Sequence, residues 1–465
     1  EVVGPGSQEA LLPSLVLGHA AAHRSSGLLW LSLFPSSLVM FIIARDFSRS
    51  MIQRPRGTRD FGPDEMEVRR YFEGMMRQEA VLHGFREIAT PIFEHTELFT
   101  LKSGPGVVEE IYAFQDKGGR DICLRPELTA SVIRFFISDM TAMPRPLKMF
   151  YFGQCFRYER PQAGRYREFF QFGAEIIGNP TPETDAEAIG LAAAILERTG
   201  LKDYRIRIGH IGILRELLAK AGAQGDQALP ILQKLDKKMY PEAEELMVQA
   251  GIAPGSIEEI ISTTKVTGPV SVLDSFEGPA RDYVRQVCDV LLAMGFINVS
   301  IDLGVVRGLA YYTGVVFEVD APKLGAEKQI CGGGSYSLSE LFGGEKVFST
   351  GFAIGFDRTL LALQSEGVKF PQQRITAFVV PVSDSVREKA FQLASDLRRV
   401  GIAADVDLMR RNMGKNLKFA DTVKARFAII IGEKELESGS VTLRDLTSGE
   451  QTLIGWNDVV TELKK

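Results

Sequence analysis

A chain of 465 residues, 45% hydrophobic and 24% charged, has ordinary globular composition and the length of two or three domains. Its formal net charge of −5 excludes bulk basicity as a route to nucleic acid, so any such contact must come from local patches. The four cysteines, Cys123, Cys155, Cys288 and Cys331, form no CxxC pair, and the five histidines show no ligand spacing. That argues against a disulfide frame and a zinc site and fits a reduced, cytoplasmic protein.

Residues 1–50 do not match the rest. Gly27 to Ala44 is apolar but carries Pro35 and three serines, and no clean A-x-A cleavage site follows. Met51 then opens text that looks like a natural start, so residues 1–50 are expected to be a non-native or poorly ordered extension rather than a membrane anchor. Next, Pro63 and Asp64 start a helix whose apolar positions include Met66, Tyr71, Met75 and Val81, and Gly84 stops it. A strand, Phe85 to Ile88, runs on to Thr90-Pro91. Another apolar strand, from Asp121, ends at Arg125 and passes through Pro126, Glu127, Leu128 and Thr129 into a helix. Glu127 and Thr129 lie where ligand groups are commonly placed, although a carboxylate there also suits the helix dipole.

Phe156 to Ile176 reads as strand, turn, strand and is crowded with arginines and aromatics. In its second strand, period 2 puts Arg167, Phe169, Gln171, Gly173 and Glu175 on one face and Phe170, Phe172, Ala174 and Ile176 on the other. The second set is a core face. The first is a row of donors, an aromatic plate and a carboxylate, with Gly173 giving close access. Arg157 and Glu159, two residues apart, point to one side. A polyanionic nucleotide held against an aromatic face uses such groups.

Residues from about 212 to 275 read as a helical insertion. Ile297 to Pro322 alternates β-branched residues with glycine around Arg307, Gly308, Leu309, Ala310, Tyr311 and Tyr312. A charged arginine in so apolar a run needs a partner or a ligand. Three glycines precede Tyr336, where backbone can approach a ligand closely. Ser349 to Leu363 is strand, turn, helix, with Asp357 as a plausible N-cap. That places Arg358 in the first turn, where a bound anion compensates its charge. After a break at Gly367 to Arg374, strands and helices alternate as a small α/β domain, residues 374–465, with a largely parallel sheet. Arg410, Arg411, Lys415, Lys418, Lys424 and Arg426 concentrate charge there, as an RNA phosphate surface does.

The helix, strand and proline near Thr90, the FRYE…RYREF hairpin and the GFDR turn resemble motifs 1, 2 and 3 of class II aminoacyl-tRNA synthetases. RGLAYYTG and CGGGSY resemble the two histidine-specific signatures of the histidyl-tRNA synthetase family, and the tail resembles its anticodon-binding domain. The resemblance runs from about Met51 to Lys465. It implies an α+β fold: an antiparallel-sheet catalytic domain over 51–370 with a helical insertion, plus a C-terminal α/β anticodon-binding domain. It implies ATP as substrate, Mg²⁺ as cofactor, L-histidine and tRNA(His) as partners, and a homodimer built on motif 1. By the same resemblance, Arg157 and Arg307 flank the α-phosphate and substrate carboxylate and carry the catalysis. Glu159 and Phe169 hold adenine, and Arg358 holds the γ-phosphate. Glu127, Thr129 and Gln171 bind the α-ammonium, Leu128 belongs with them to the histidine site, Glu175 and Tyr312 bracket the imidazole nitrogens, and Tyr311 and Tyr336 shape the pocket. Where the family's commoner text has Asp, this chain has Ala310, which leaves Arg307 and Tyr312 their assignments; where it has Arg and Asp in the glycine-rich motif, this chain has Ser335 and Ser337, which weakens the detailed role of Tyr336. The alternatives are a non-catalytic regulatory paralogue of histidine biosynthesis and another class II synthetase.

Overall fold

A computed structural model describes residues 52–464 apart from 161–163, 306–311 and 372–373. Helix α1, Pro63–Leu82, has Pro63 in its first turn, where a missing N–H costs nothing, and ends before Gly84 at φ +79°. Its buried stripe is Phe72, Met76 and Ala80, together with Arg69 and Glu73. The expected apolar face is therefore out of phase: Tyr71 and Val81 are exposed. The interior side of α1 carries a buried arginine that a hydrophobicity pattern passes over.

Short strands β1 (Arg86–Glu87) and β2 (Phe93–His95) lead to α2 (Thr96–Ser103), β3 (Tyr112–Gln115), β4 (Asp121–Leu124) and α3 (Thr129–Phe135). The long hairpin is β5 (Leu147–Phe156) and β6 (Glu168–Gly178), followed by α4 (Pro182–Arg198) and β7 (Arg205–His210). Four helices then form the insertion: α5 (Ile211–Lys220), α6 (Ala228–Asp236), α7 (Tyr240–Gln249) and α8 (Pro254–Thr263). They close over a hydrophobic cluster of their own that includes Leu214, Leu232, Met247 and Ile260. The chain returns through β8 (Thr267–Gly268), α9 (Pro279–Ala293), β9 (Val299–Asp302), β10 (Tyr312–Asp320), β11 (Gln329–Tyr336), β12 (Phe348–Gly355) and α10 (Phe356–Ser365).

Nine strands make one sheet in the order β1-β5-β6-β12-β11-β10-β7-β9-β8. All its pairings are antiparallel except β1 with β5 and β7 with β9. Period 2 sorts β6 as the sequence suggests. Phe172, Ala174 and Ile176 join the main core with residues of α1, α4 and α9, while Ile177 packs on the opposite face with Tyr151 and Tyr336. That opposite face is where the site lies.

The last domain has a five-stranded sheet in the order β14-β13-β15-β16-β17. Its elements are β13 (Ala377–Pro381), α11 (Arg387–Arg399), β14 (Ala404–Val406), α12 (Met413–Thr422), β15 (Phe427–Ile431), α13 (Glu433–Glu437), β16 (Ser440–Asp445), β17 (Gln451–Gly455) and α14 (Val459–Leu463). Only the β13 pairings with β14 and β15 are parallel; β16 and β17 form an antiparallel hairpin edge. The largely parallel sheet expected from the sequence is thus parallel on one half only. Among the described residues no helix is long and apolar enough to cross a membrane, and Gly27 to Ala44 lies outside them.

Candidate active site

A cavity of about 480 Å³ opens over the β5, β6, β10, β11 and β12 face of the large sheet. Glu127 reaches it from the turn before α3, Thr129 from the first residue of α3, Arg157 and Glu159 from just past the end of β5, and Phe169, Gln171 and Glu175 from β6. Tyr312 of β10, Tyr336 of β11 and Arg358 of α10 complete the set. Leu128, also expected at the site, does not line it; its side chain is buried beside Val132 and Tyr151. Residues on two sides of a tight turn cannot both face the ligand, and Leu128 takes the core side. Arg307, Ala310 and Tyr311 lie outside the described residues.

Glu175 is the floor. It is 0% exposed and accepts three hydroxyl hydrogen bonds: Thr129 Oγ1 at 2.9 Å and Tyr151 Oη at 3.0 Å donate to Oε1, and Tyr336 Oη at 2.6 Å donates to Oε2. Burial raises its carboxyl to about 7, against the opposing pull of those three donors. Gly351 lies directly across from it on β12, and a Cβ there would collide with the carboxylate. Gly173 has a different role from the one expected. The space above it is filled by the Tyr151 ring from the facing position of β5, not left for a ligand.

Tyr151 escaped the sequence reading, although its signal was present. Counting back from Arg157 by twos gives Cys155, Gly153 and Tyr151 on the same face. Each serves the site. The Cys155 thiol donates to Gln171 Oε1 at 3.3 Å, and Gly153 leaves room for the buried guanidinium of Arg125. Arg125 was also missed. It donates to the backbone carbonyls of Thr90, Pro91 and Gln154 and so fixes the turn that presents Glu127.

Both signs of charge line the cavity. Arg157 donates through Nε to the Pro126 carbonyl at 3.1 Å, lies 5.0 Å above the Phe169 ring and is 3.9 Å from Glu159. Arg165 approaches Glu159 at 4.0 Å. Arg358 stands in the first turn of α10, where the helix N-terminus adds positive potential. Glu127, joined to the Pro126 carbonyl that Arg157 holds, and Glu175 line the same cavity. Cations and carboxylates together suit a substrate that carries both a polyanion and an ammonium group or ring N–H donors. Asp357 is not the N-cap; Gly355 is. The Asp357 carboxylate is claimed instead by Arg59 at 2.6 Å, Arg69 at 2.7 Å and the Phe170 N–H at 3.1 Å.

Residues 57–359 match the model of the histidyl-tRNA synthetase family, well over half of the chain. The chain belongs to that family. Residues 376–465 match an anticodon-binding domain. The histidine–tRNA ligase of Archaeoglobus fulgidus is 44% identical over 417 residues, covering 89% of this chain and 100% of that protein. Among solved structures, the apo S. aureus histidyl-tRNA synthetase superposes with a TM-score of 0.68 at 31% identity, covering 89% of this chain and 100% of that one. The Nostoc enzyme gives 0.74 at 25% identity, covering 89% and 99%.

Ser335, expected to weaken the role of Tyr336, faces the buried Asp185 rather than the cavity. Ser335 Oγ donates to the buried Asp185 of α4, with both oxygens at 2.8 Å, and Tyr283 Oη donates to the same carboxylate at 2.9 Å. The neighbouring Tyr336 points the opposite way, to Glu175, so serine at 335 leaves that contact intact. In the C-terminal domain Arg411 is committed internally, 3.0 Å from the buried Asp407 and over the Phe419 ring.

Proposed function

We propose that this chain joins L-histidine to tRNA(His) in two ATP-dependent steps. A histidine carboxylate oxygen attacks the ATP α-phosphorus and pyrophosphate leaves, giving histidyl-adenylate. A hydroxyl of the terminal tRNA adenosine then attacks the activated carbonyl, losing its proton as AMP departs. No protein nucleophile is required; orientation and charge stabilisation carry both steps. The observation that carries the reading is Glu175, a buried carboxylate with three of its four lone-pair directions taken by fixed hydroxyls. The remaining one, on Oε2, is suited to a single imidazole N–H.

In this reading Arg157 and Arg307 hold the α-phosphate and substrate carboxylate. Phe169 stacks on adenine, Glu159 accepts from its amino group, and Arg358 neutralises the pyrophosphate. Glu127 and Gln171 receive the α-ammonium near Thr129, while Tyr312 and Tyr311 close the imidazole side. Mg²⁺, when bound with ATP, would offset triphosphate charge beside Arg358. Exposed Arg410, Lys415 and Lys418 are the RNA side of the C-terminal domain. Pyrophosphate exchange with each of the twenty amino acids tests the whole reading: histidine alone supports exchange, and equal exchange with another amino acid overturns it.

We also assign a homodimer. Ile92, Phe93 and Phe114 are exposed apolar side chains on β2, β3 and the strand entry after motif 1, a grouping that a monomer gains nothing by displaying. Phe93→Asp is expected to convert the particle to a monomer in analytical ultracentrifugation, with loss of exchange activity. An unchanged sedimentation coefficient refutes this assignment.

A further inference from the structure

Lys102 lines the cavity and has no part in the reading above. It sits in the last turn of α2, where a cation suits the helix dipole, but it is only 7% exposed and so needs a charged partner. Its Nζ lies 3.0 Å from Glu127 Oε1. The Ala130 N–H also donates to that oxygen at 3.1 Å, whereas its approach to Oε2 is 3.4 Å. One side of the carboxylate is therefore pinned by an ammonium and the start of α3. The other oxygen keeps accepting capacity, since a carboxylate oxygen takes two hydrogen bonds.

We propose that Lys102 is a specificity-determining positioning residue, holding the Glu127 carboxylate oriented so that Oε2 receives the α-ammonium of the substrate. The inference rests on the reading of Glu127 as the ammonium acceptor. A carboxylate in a partly dried cavity that also holds Glu175 is poorly solvated and repelled by its neighbour, and a fixed cation removes both difficulties. Lys102 does not compete with substrate, because its tether keeps it on Oε1. It thus helps the site demand an ammonium group and refuse ligands that lack one.

The test is pyrophosphate exchange by Lys102→Met and Lys102→Gln, with two inhibitors of opposite make-up. L-histidinol keeps the ammonium group; imidazolepropionate lacks it. The histidine KM and the histidinol inhibition constant are expected to rise together by about tenfold or more, as loss of support for a charged hydrogen bond predicts. The imidazolepropionate constant stays within about twofold, and kcat changes less than KM. These constants do not depend on the folded fraction, so partial unfolding cannot imitate the result. A fall in KM would make Lys102 a competitor, and equal loss of both inhibitors would make the pair merely structural; either overturns the inference. Glu127→Gln separates the two levels. If it leaves the ratio of inhibitors unchanged, the reading of Glu127 fails. If it shifts the ratio and the Lys102 variants do not, only the role of Lys102 fails.

Discussion

Glu175→Gln is expected to lower kcat/KM for histidine by about 100-fold, the effect of losing a hydrogen bond to a buried charge. The carboxylate accepts from Thr129, Tyr151 and Tyr336 and has one direction left. An amide of the same size has only one accepting oxygen. Its NH₂ group must face at least one hydroxyl that now has to turn round, and the negative charge opposite the imidazole is gone. Discrimination should suffer with rate: exchange supported by asparagine or glutamine should rise relative to histidine. Unchanged discrimination in the twenty-amino-acid assay would refute the assignment. A second consequence is visible without substrate. Burial raises the Glu175 carboxyl from 4.5 to about 7. Between those values the folded state binds the proton that the unfolded chain releases, so stability falls as pH rises from about 4.5 through about 7. The span corresponds to about 3 kcal/mol. The Gln variant lacks this dependence, so relative to wild type it should gain about that much between pH 5 and pH 8 in denaturant unfolding. A constant difference between the two proteins across that range would show that Glu175 stays ionised.

What the sequence disclosed about this site, and what it hid, follows one physical division. Phe169, Gln171 and Glu175 were legible because strand periodicity is local: the odd positions of β6 must share a face once its even positions are core. The same logic reaches Tyr151 through Arg157. Lys102 and Arg125 were not legible. Their partners, Glu127 and the carbonyls of Thr90, Pro91 and Gln154, are brought to them by packing between elements. The phase of α1 was misjudged because Arg69 occupies its interior stripe, and the arginine is there only because Asp357 meets it from almost 300 positions away. In the C-terminal domain, β17 was overlooked since its exposed side chains carry no apolar alternation. Resemblance, in contrast, reaches Arg307 and Tyr311, which lie outside the described residues.

Asp357→Ala should lower the melting temperature by about 10 °C, the effect of stranding a buried cation at a cost of about 3–5 kcal/mol. Asp357 is 4% exposed and its two oxygens join three segments: Arg59 before α1, Arg69 within α1, and the Phe170 N–H on β6. Arg69 is itself 4% exposed and ringed by Phe61, Phe170 and Phe356, at 4.0, 4.9 and 4.8 Å. Those ring faces ease its charge but cannot replace a carboxylate. Two of the guanidinium nitrogens, Arg69 Nη2 and Arg59 Nε, already lack an acceptor among the described residues, so little else stands ready to compensate. The damage should also reach the chemistry. Asp357 pins the peptide between Phe169 and Phe170 and directly precedes Arg358, so its loss loosens both the aromatic plate and the phosphate-facing arginine. The KM for ATP is expected to rise more than the KM for histidine. Asp357→Asn, which keeps an acceptor for Phe170 N–H but not the charge, should fall between the two. Removing the cation as well separates the causes: Arg69→Met combined with Asp357→Ala should be more stable than Asp357→Ala alone, since the stranded charge is gone. If Asp357→Ala melts within about 2 °C of wild type, the three-way junction carries no such load and the arginines find water instead.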